Sequence, residues 1–164
     1  MVRRAGEGLR AGALDNHLKA RAALKKVKVS RGESRGRRFD FKEWIDRDAY
    51  DIVQPNSNVT GITEALHIAG MARLRGKPCC PHNWHGGLTT VDNAAVVAAI
   101  PTCLVLELNQ TFNPSQGGTV SGPAGRYMDL PNRPGLGMEL KPGIAAKFPY
   151  IPGNYWKPNP ALPA

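Results

Sequence analysis

The sequence predicts an α/β fold: a portion of a (β/α) TIM-type barrel, with parallel strands alternating with helices, followed by an extended Pro/Gly-rich tail. Three observations lead there. Four polar residues each stand just past a short apolar run: Glu33 after Val27-Lys28-Val29, Asn56 after Ile52-Val53, His82 after Pro78-Cys79-Cys80, and Glu107 after Cys103-Leu104-Val105-Leu106. The intervals between them are 23, 26 and 25 residues, each close to one strand, one helix and two short connections, which is the rhythm of successive β/α units. After Asn109 that rhythm stops, and ten of the 14 prolines lie beyond it. A chain of 164 residues can build one domain with a real core, but an eight-stranded α/β barrel takes about 250. The expectation is therefore about four β/α units over residues 14–108.

The elements follow in order. Residues 1–13 are basic and Gly/Ala-rich without periodicity, and are expected to be disordered. Leu14, Leu18 and Ala22 recur at helical spacing, with Asp15 or Asn16 at the start, and predict a helix over 14–25. A strand is expected over 27–30, a basic Gly-punctuated loop over 31–38, and a short helix over 39–46. The next strand, over 50–54, is stopped by Pro55. The best helix runs over 62–75, where Ile62, Ala65, Leu66, Ala69 and Ala72 share a face and Gly76 and Pro78 close it. A strand over 78–80, a helix over 90–99 ended by Pro101, and a strand over 103–107 complete the units. Residues 109–164 are expected to pack on the barrel as irregular chain and turns.

Parallel strands laid side by side would carry Glu33, Asn56, His82 and Glu107 to one rim, the C-terminal edge, where barrels of this kind place their active sites. Two carboxylates, an amide and an imidazole around one mouth suit metal-assisted proton chemistry.

Composition narrows the alternatives. Residues 1–38 hold 12 of the 22 Lys/Arg but only 3 of the 13 acids, so the net charge of +9 is local to that stretch. Such an arm can bind nucleic acid, but it lacks interleaved aromatics and any nucleic-acid fold motif. It also has the Arg-rich, acid-poor character of an organellar transit peptide; a solvated arm with neither role is preferred. No apolar run approaches the roughly 20 residues of a membrane span, and no secretory leader is evident. Three cysteines, two of them adjacent, are not a disulfide framework, which makes a reducing cytoplasm the default location. Cys79, Cys80, His82 and His85 around zinc is disfavoured, because adjacent cysteines on a strand point to opposite faces and Cys-x-x-Cys spacing is missing.

Several motifs then agree in order and spacing: Arg31-Gly32-Glu33, Asp51-Ile52-Val53-Gln54-Pro55-Asn56, Gly61-Ile62-Thr63-Glu64, Pro81-His82-Asn83-Trp84, Pro101-Thr102 with Leu106-Glu107, and Pro134-Gly135-Leu136-Gly137. Together, over roughly Asn16 to Leu140, they resemble the C-terminal portion of the barrel in the mandelate racemase/muconate lactonizing enzyme family, the mandelate racemase-like branch of the enolase superfamily. The resemblance implies Mg²⁺-dependent removal of the proton next to the carboxylate of a hydroxylated acid. A carbon acid of that kind reacts only where the developing oxyanion is neutralised in place. Glu33 resembles the third metal acid, a carboxylate that a hard cation prefers. His82 resembles the general acid/base, for which an imidazole suits neutral pH. Glu107 resembles the acid that hydrogen-bonds the enediolate, as a donor when protonated.

The departures are equally informative. Members with a His–Asp dyad carry Asp where this chain has Asn56, which can hold a tautomer but supplies no charge. Asp51, five residues earlier, is expected to be structural. The resemblance also implies a capping domain, a second base and two further metal acids that have no counterpart here. The expectation is an acid-sugar dehydratase or racemase-like enzyme acting on a carboxylate-bearing small molecule, completed by a missing N-terminal half or by homo-oligomerisation. Dehydration is preferred because one base survives and the dyad is altered. The alternative is a non-catalytic remnant or interaction module.

Overall fold

The computed structural model describes residues 4–5, 14–84, 87–108, 127–140, 142–147 and 149. Strand β1 (Arg4–Ala5) is followed by α1 (Leu14–Ala23), β2 (Lys28–Arg31), α2 (Arg38–Asp46), β3 (Ile52–Val53), α3 (Ser57–Thr60), α4 (Ile62–Leu74), α5 (Gly87–Ala99) and α6 (Ile144–Lys147). The sheet order is β1-β2-β3, all parallel, with Arg4 opposite Lys28, Ser30 opposite Ile52 and Arg31 opposite Val53. A further parallel bridge pairs Val53 with Cys79, and the Cys79 N–H reaches the Thr102 carbonyl at 3.2 Å. Strand, helix and next parallel strand thus alternate as a sector of a TIM-type barrel.

Some elements depart from the sequence expectation. Within residues 1–13, expected to be disordered, Arg4–Ala5 forms a strand because the open edge of β2 offers its backbone a parallel partner. The strand expected at 103–107 has no regular ladder among the described residues; just before it the Thr102 carbonyl accepts the Cys79 N–H. The short α3 was not foreseen; Asn56 caps it. In the expected tail most of residues 109–164 lie outside the described residues, but 144–147 are helical. Among the described residues no helix is long and apolar enough to cross a membrane.

The core lies between the sheet and its helices. One cluster joins Phe41, Trp44 and Ile45 of α2 to Ala49, Tyr50, Val53, Ile68 and Ala72, and a second joins Ala65, Ala69, Cys79, Val96 and Ile100. Helix α4 buries Ala65, Ile68, Ala69 and Ala72, so its inner face is turned from the expected one and leaves Ile62 and Leu66 exposed. Gly76, with φ +65°, ends the helix in the left-handed region that favours glycine. Trp44 is the packing centre: its ring stacks on Tyr50 with centroids 5.6 Å apart, meets His17 edge-on at 4.9 Å, and carries Arg35 at 3.9 Å on its face. His17, rather than a leucine, is the buried residue of α1. Burial, with Arg31 and Arg35 nearby, pushes its imidazole below the ordinary value.

Much of the basic N-terminal stretch is used internally. Arg21 bonds Asp51 at 3.2 Å and also pairs with Asp48. Asp51 accepts the Val29 N–H at 2.9 Å, tying α1, β2 and the start of β3 together. Burial alone would raise the Asp51 carboxyl, but the Val29 N–H, Arg21 and Lys28 outweigh it and hold the group low. Arg38 grips Glu64 across α2 and α4 through its Nε at 2.9 Å and its own N–H at 3.0 Å. Those bonds hold the Glu64 carboxyl at about 2, against 4.5 ordinarily. A depressed carboxyl stabilises the fold above its unfolded value and loses that contribution as pH falls toward the folded one. Urea midpoints of the native chain are therefore expected to fall between pH 5 and about pH 2, and Arg38→Met should flatten that limb; equal slopes in both proteins would show that the pair does not contribute.

Candidate functional site

The parallel register decides where the polar residues go. The Gln54 N–H bonds the Arg31 carbonyl at 2.9 Å, the Cys80 N–H bonds the Val53 carbonyl at 2.9 Å, and the His82 N–H bonds the Pro55 carbonyl at 2.8 Å. Glu33, Asn56 and His82 therefore leave neighbouring strands at the same, C-terminal edge. Gly32, just before Glu33, has φ +133°; a Cβ built there would lie 2.5 Å from Phe41 Cε1 and 3.0 Å from the Gln54 carbonyl oxygen. Only a residue without a side chain lets the backbone turn this close to α2 and β3.

Three of the four expected side chains meet. His82 Nδ1 lies 3.0 Å from Glu107 Oε2 and 3.3 Å from Glu33 Oε2, and all three side chains are largely but not wholly shielded. Asn56 is placed otherwise: its Oδ1 accepts the Asn58 N–H at 3.0 Å and caps α3. It adjoins His82 through the backbone bond at Pro55.

Residues not foreseen as functional fix this arrangement. Gln54 Nε2 donates to Glu107 Oε2 at 3.0 Å, and Ser30 Oγ donates to Gln54 Oε1 at 3.0 Å. The Asn83 N–H reaches Glu107 Oε2 at 3.2 Å, while its Nδ2 donates to the Glu107 carbonyl at 2.9 Å and to Thr90 Oγ1 at 3.0 Å. Asn93 Nδ2 donates to the His82 carbonyl at 2.9 Å, and its Oδ1 receives the Ser57 N–H at 3.3 Å. Asn83 and Asn93 are fully buried, so these bonds form in a shielded setting where polar groups must be matched. The signal available in the sequence was the run Pro81-His82-Asn83 and the polar Gln54 inside an otherwise apolar strand.

The residues present do not fit a divalent metal. Among the described residues no group of three or more His, Cys, Asp or Glu is arranged to hold an ion. Glu33, expected as a metal acid, has its Oε2 3.3 Å from His82 Nδ1. A hard cation needs about six oxygens, and no such set surrounds Glu33 here. Of the residues weighed for zinc, Cys79 packs against α4 and α5 in the core, its thiol pushed up to about 12 by burial, with Cys80 adding to the rise. His85 lies outside the described residues.

Comparison with known proteins agrees with the fold. The enolase C-terminal domain-like family model matches residues 7–144. The chain is 30% identical over 126 residues to an arabinonate dehydratase of Saccharolobus solfataricus, covering 74% of this chain and 34% of that protein. It is 30% identical over 165 residues to an L-galactonate dehydratase of Hypocrea jecorina, covering 90% and 35%. A solved member of the enolase superfamily from Polaromonas sp. JS666 superposes with a TM-score of 0.82 at 26% identity, covering 92% of this chain and 41% of that one. The chain spans about a third of the length of the relatives it matches.

Proposed function

The chain belongs to the enolase C-terminal domain-like family, and from that premise we propose that it carries the acid/base half of a sugar-acid dehydratase site. Members of the superfamily typically bind Mg²⁺, and several relatives are dehydratases of aldonic acids. The observation that supports the reading is the His82 imidazole held between Glu107 and Glu33 at the C-terminal edge of parallel strands.

His82 is the proton carrier. With Nδ1 turned to Glu107, the opposite ring nitrogen takes the proton from the carbon next to the substrate carboxylate, and the imidazolium gives one to the departing β-hydroxyl. That hydroxyl leaves as water, and the enol product becomes a 2-keto-3-deoxy acid. One histidine serves both transfers, which suits a chain with a single recognisable base. Glu107 stabilises the imidazolium, the task that Asn56 cannot perform without a charge.

The described residues supply no oxygen cage for a metal, so the oxyanion of the carbon acid is neutralised by groups on the remainder of the barrel. Activity is assigned to this chain together with that remainder, whose strands would also cover Leu104, Val105 and Trp84, which are 50%, 60% and 67% exposed. Fusing the chain to the part of the Saccharolobus solfataricus arabinonate dehydratase that it does not match tests this. The folded chimera should convert an aldonate to its 2-keto-3-deoxy acid. A chimera that is folded by circular dichroism and gel filtration but forms no keto acid would refute the reading.

A further inference from the structure

Glu107 Oε2 is a crossing point. It lies 3.0 Å from His82 Nδ1, 3.0 Å from Gln54 Nε2 and 3.2 Å from the Asn83 N–H. Two of those three partners, the amide nitrogens, can only donate. Oε2 must then accept from both, and the third partner has to bring a hydrogen as well. That condition selects the imidazole tautomer with its proton on Nδ1 and leaves the lone pair on Nε2.

Gln54 is what holds the carboxylate there. Its side chain is locked at both ends, receiving Ser30 Oγ–H at its oxygen and giving its nitrogen to Glu107. Ser30 and Gln54 are 1% and 5% exposed, so neither can exchange its partner for bulk water without cost. The reversed amide would set a carbonyl oxygen against a carboxylate. Ser30 lies in register opposite Ile52, two residues before Gln54, so these side chains share the sheet face away from Val53, which packs on the helices. The line from Ser30 through Gln54 to Glu107 runs from β2 past the end of β3 and ends on His82.

We propose that Gln54, oriented by Ser30, is a positioning residue that fixes Glu107 and through it the Nδ1–H tautomer of His82. The functional meaning of that tautomer rests on the dehydratase reading above; its existence does not. In this chain the carboxylate partner of the imidazole is then Glu107, 25 residues after His82, rather than a side chain on the strand before it.

Long-range ¹H–¹⁵N spectra of the native full chain, at alkaline pH where the ring carries one proton, read the tautomer directly and require no substrate. The wild-type ring should be mainly Nδ1–H. Gln54→Leu should lower the ratio of Nδ1–H to Nε2–H about fivefold, the effect of one lost hydrogen bond, and Ser30→Ala should lower it by less. A wild-type ring that is mainly Nε2–H, or an unchanged ratio in a folded Gln54→Leu protein, overturns the proposal. If Gln54→Leu does not fold, an unchanged ratio in Ser30→Ala overturns it. Failure of the chimera to form keto acid, with these shifts observed, would refute the dehydratase reading and leave the positioning role standing.

Discussion

Replacing His82 with alanine is expected to lower keto-acid formation by the chimeric barrel about 10²–10⁴-fold, the range that a positioned general acid/base supplies. The fold should survive, because the bonds that place residue 82 are made by its backbone: its N–H to the Pro55 carbonyl at 2.8 Å, and its carbonyl to Asn93 Nδ2 at 2.9 Å. Alanine keeps both. What disappears is the ring between Glu33 and Glu107, leaving two carboxylates without the group that separated them. Their repulsion at a partly hydrated edge is modest, so the thermal midpoint should move little while turnover collapses. Added imidazole, small enough to occupy the vacated space, should restore part of the rate. Initial rates by a keto-acid assay and a thermal scan of the same samples decide the matter. A variant that turns over within threefold of the parent removes His82 from the mechanism.

How far this site could be read from the sequence depends on which interactions are periodic. Intervals near 25 residues carry the parallel alternation, because a strand and a helix of ordinary length consume that many positions whatever their exact sequence. The arrival of Glu33 and His82 at one edge then follows from strand direction, while Glu107 is held beside them by Gln54 and Asn83. The departures come from residues whose role is local. Asn56 leaves β3 where α3 begins, and its short amide caps that helix through Asn58; a four-residue helix has no hydrophobic period to announce it. The inward turn of His17 depends on the aromatic wall made by Trp44 and Tyr50, elements 27 and 33 positions away in the chain. The segment 103–107 reads as a strand by composition, yet it has no ladder among the described residues and Leu104 and Val105 are exposed; an apolar run becomes a strand only where a neighbour takes its backbone bonds. Gln54 and Asn83 stand in legible motifs, but their partner, Glu107, lies 53 and 24 positions on, and no spacing rule connects them.

Gly32→Ala is expected to cost the most stability for the smallest chemical change, roughly 3 kcal/mol or more from strain and overpacking combined. At φ +133° an L side chain is strained wherever it points, and here the added methyl also meets Phe41 Cε1 at 2.5 Å and the Gln54 carbonyl at 3.0 Å. Neither neighbour can yield freely. Phe41 is fully buried within the cluster that includes Trp44, Tyr50 and Val53, and Gln54 is pinned by its backbone bond to Arg31 and its side-chain bonds to Ser30 and Glu107. Relief must therefore come from lifting the turn itself, which carries Glu33 away from His82 and loosens β2 against β3. Gly36, four residues on, has nothing within 4 Å of a built Cβ and no left-handed φ, so Gly36→Ala should be neutral or slightly stabilising. Urea denaturation of both variants at neutral pH separates a demand for glycine at one backbone position from a general intolerance of the loop to substitution. Should Gly32→Ala match the wild-type midpoint, the close passage of the backbone between Phe41 and Gln54 is not what presents Glu33 to the site.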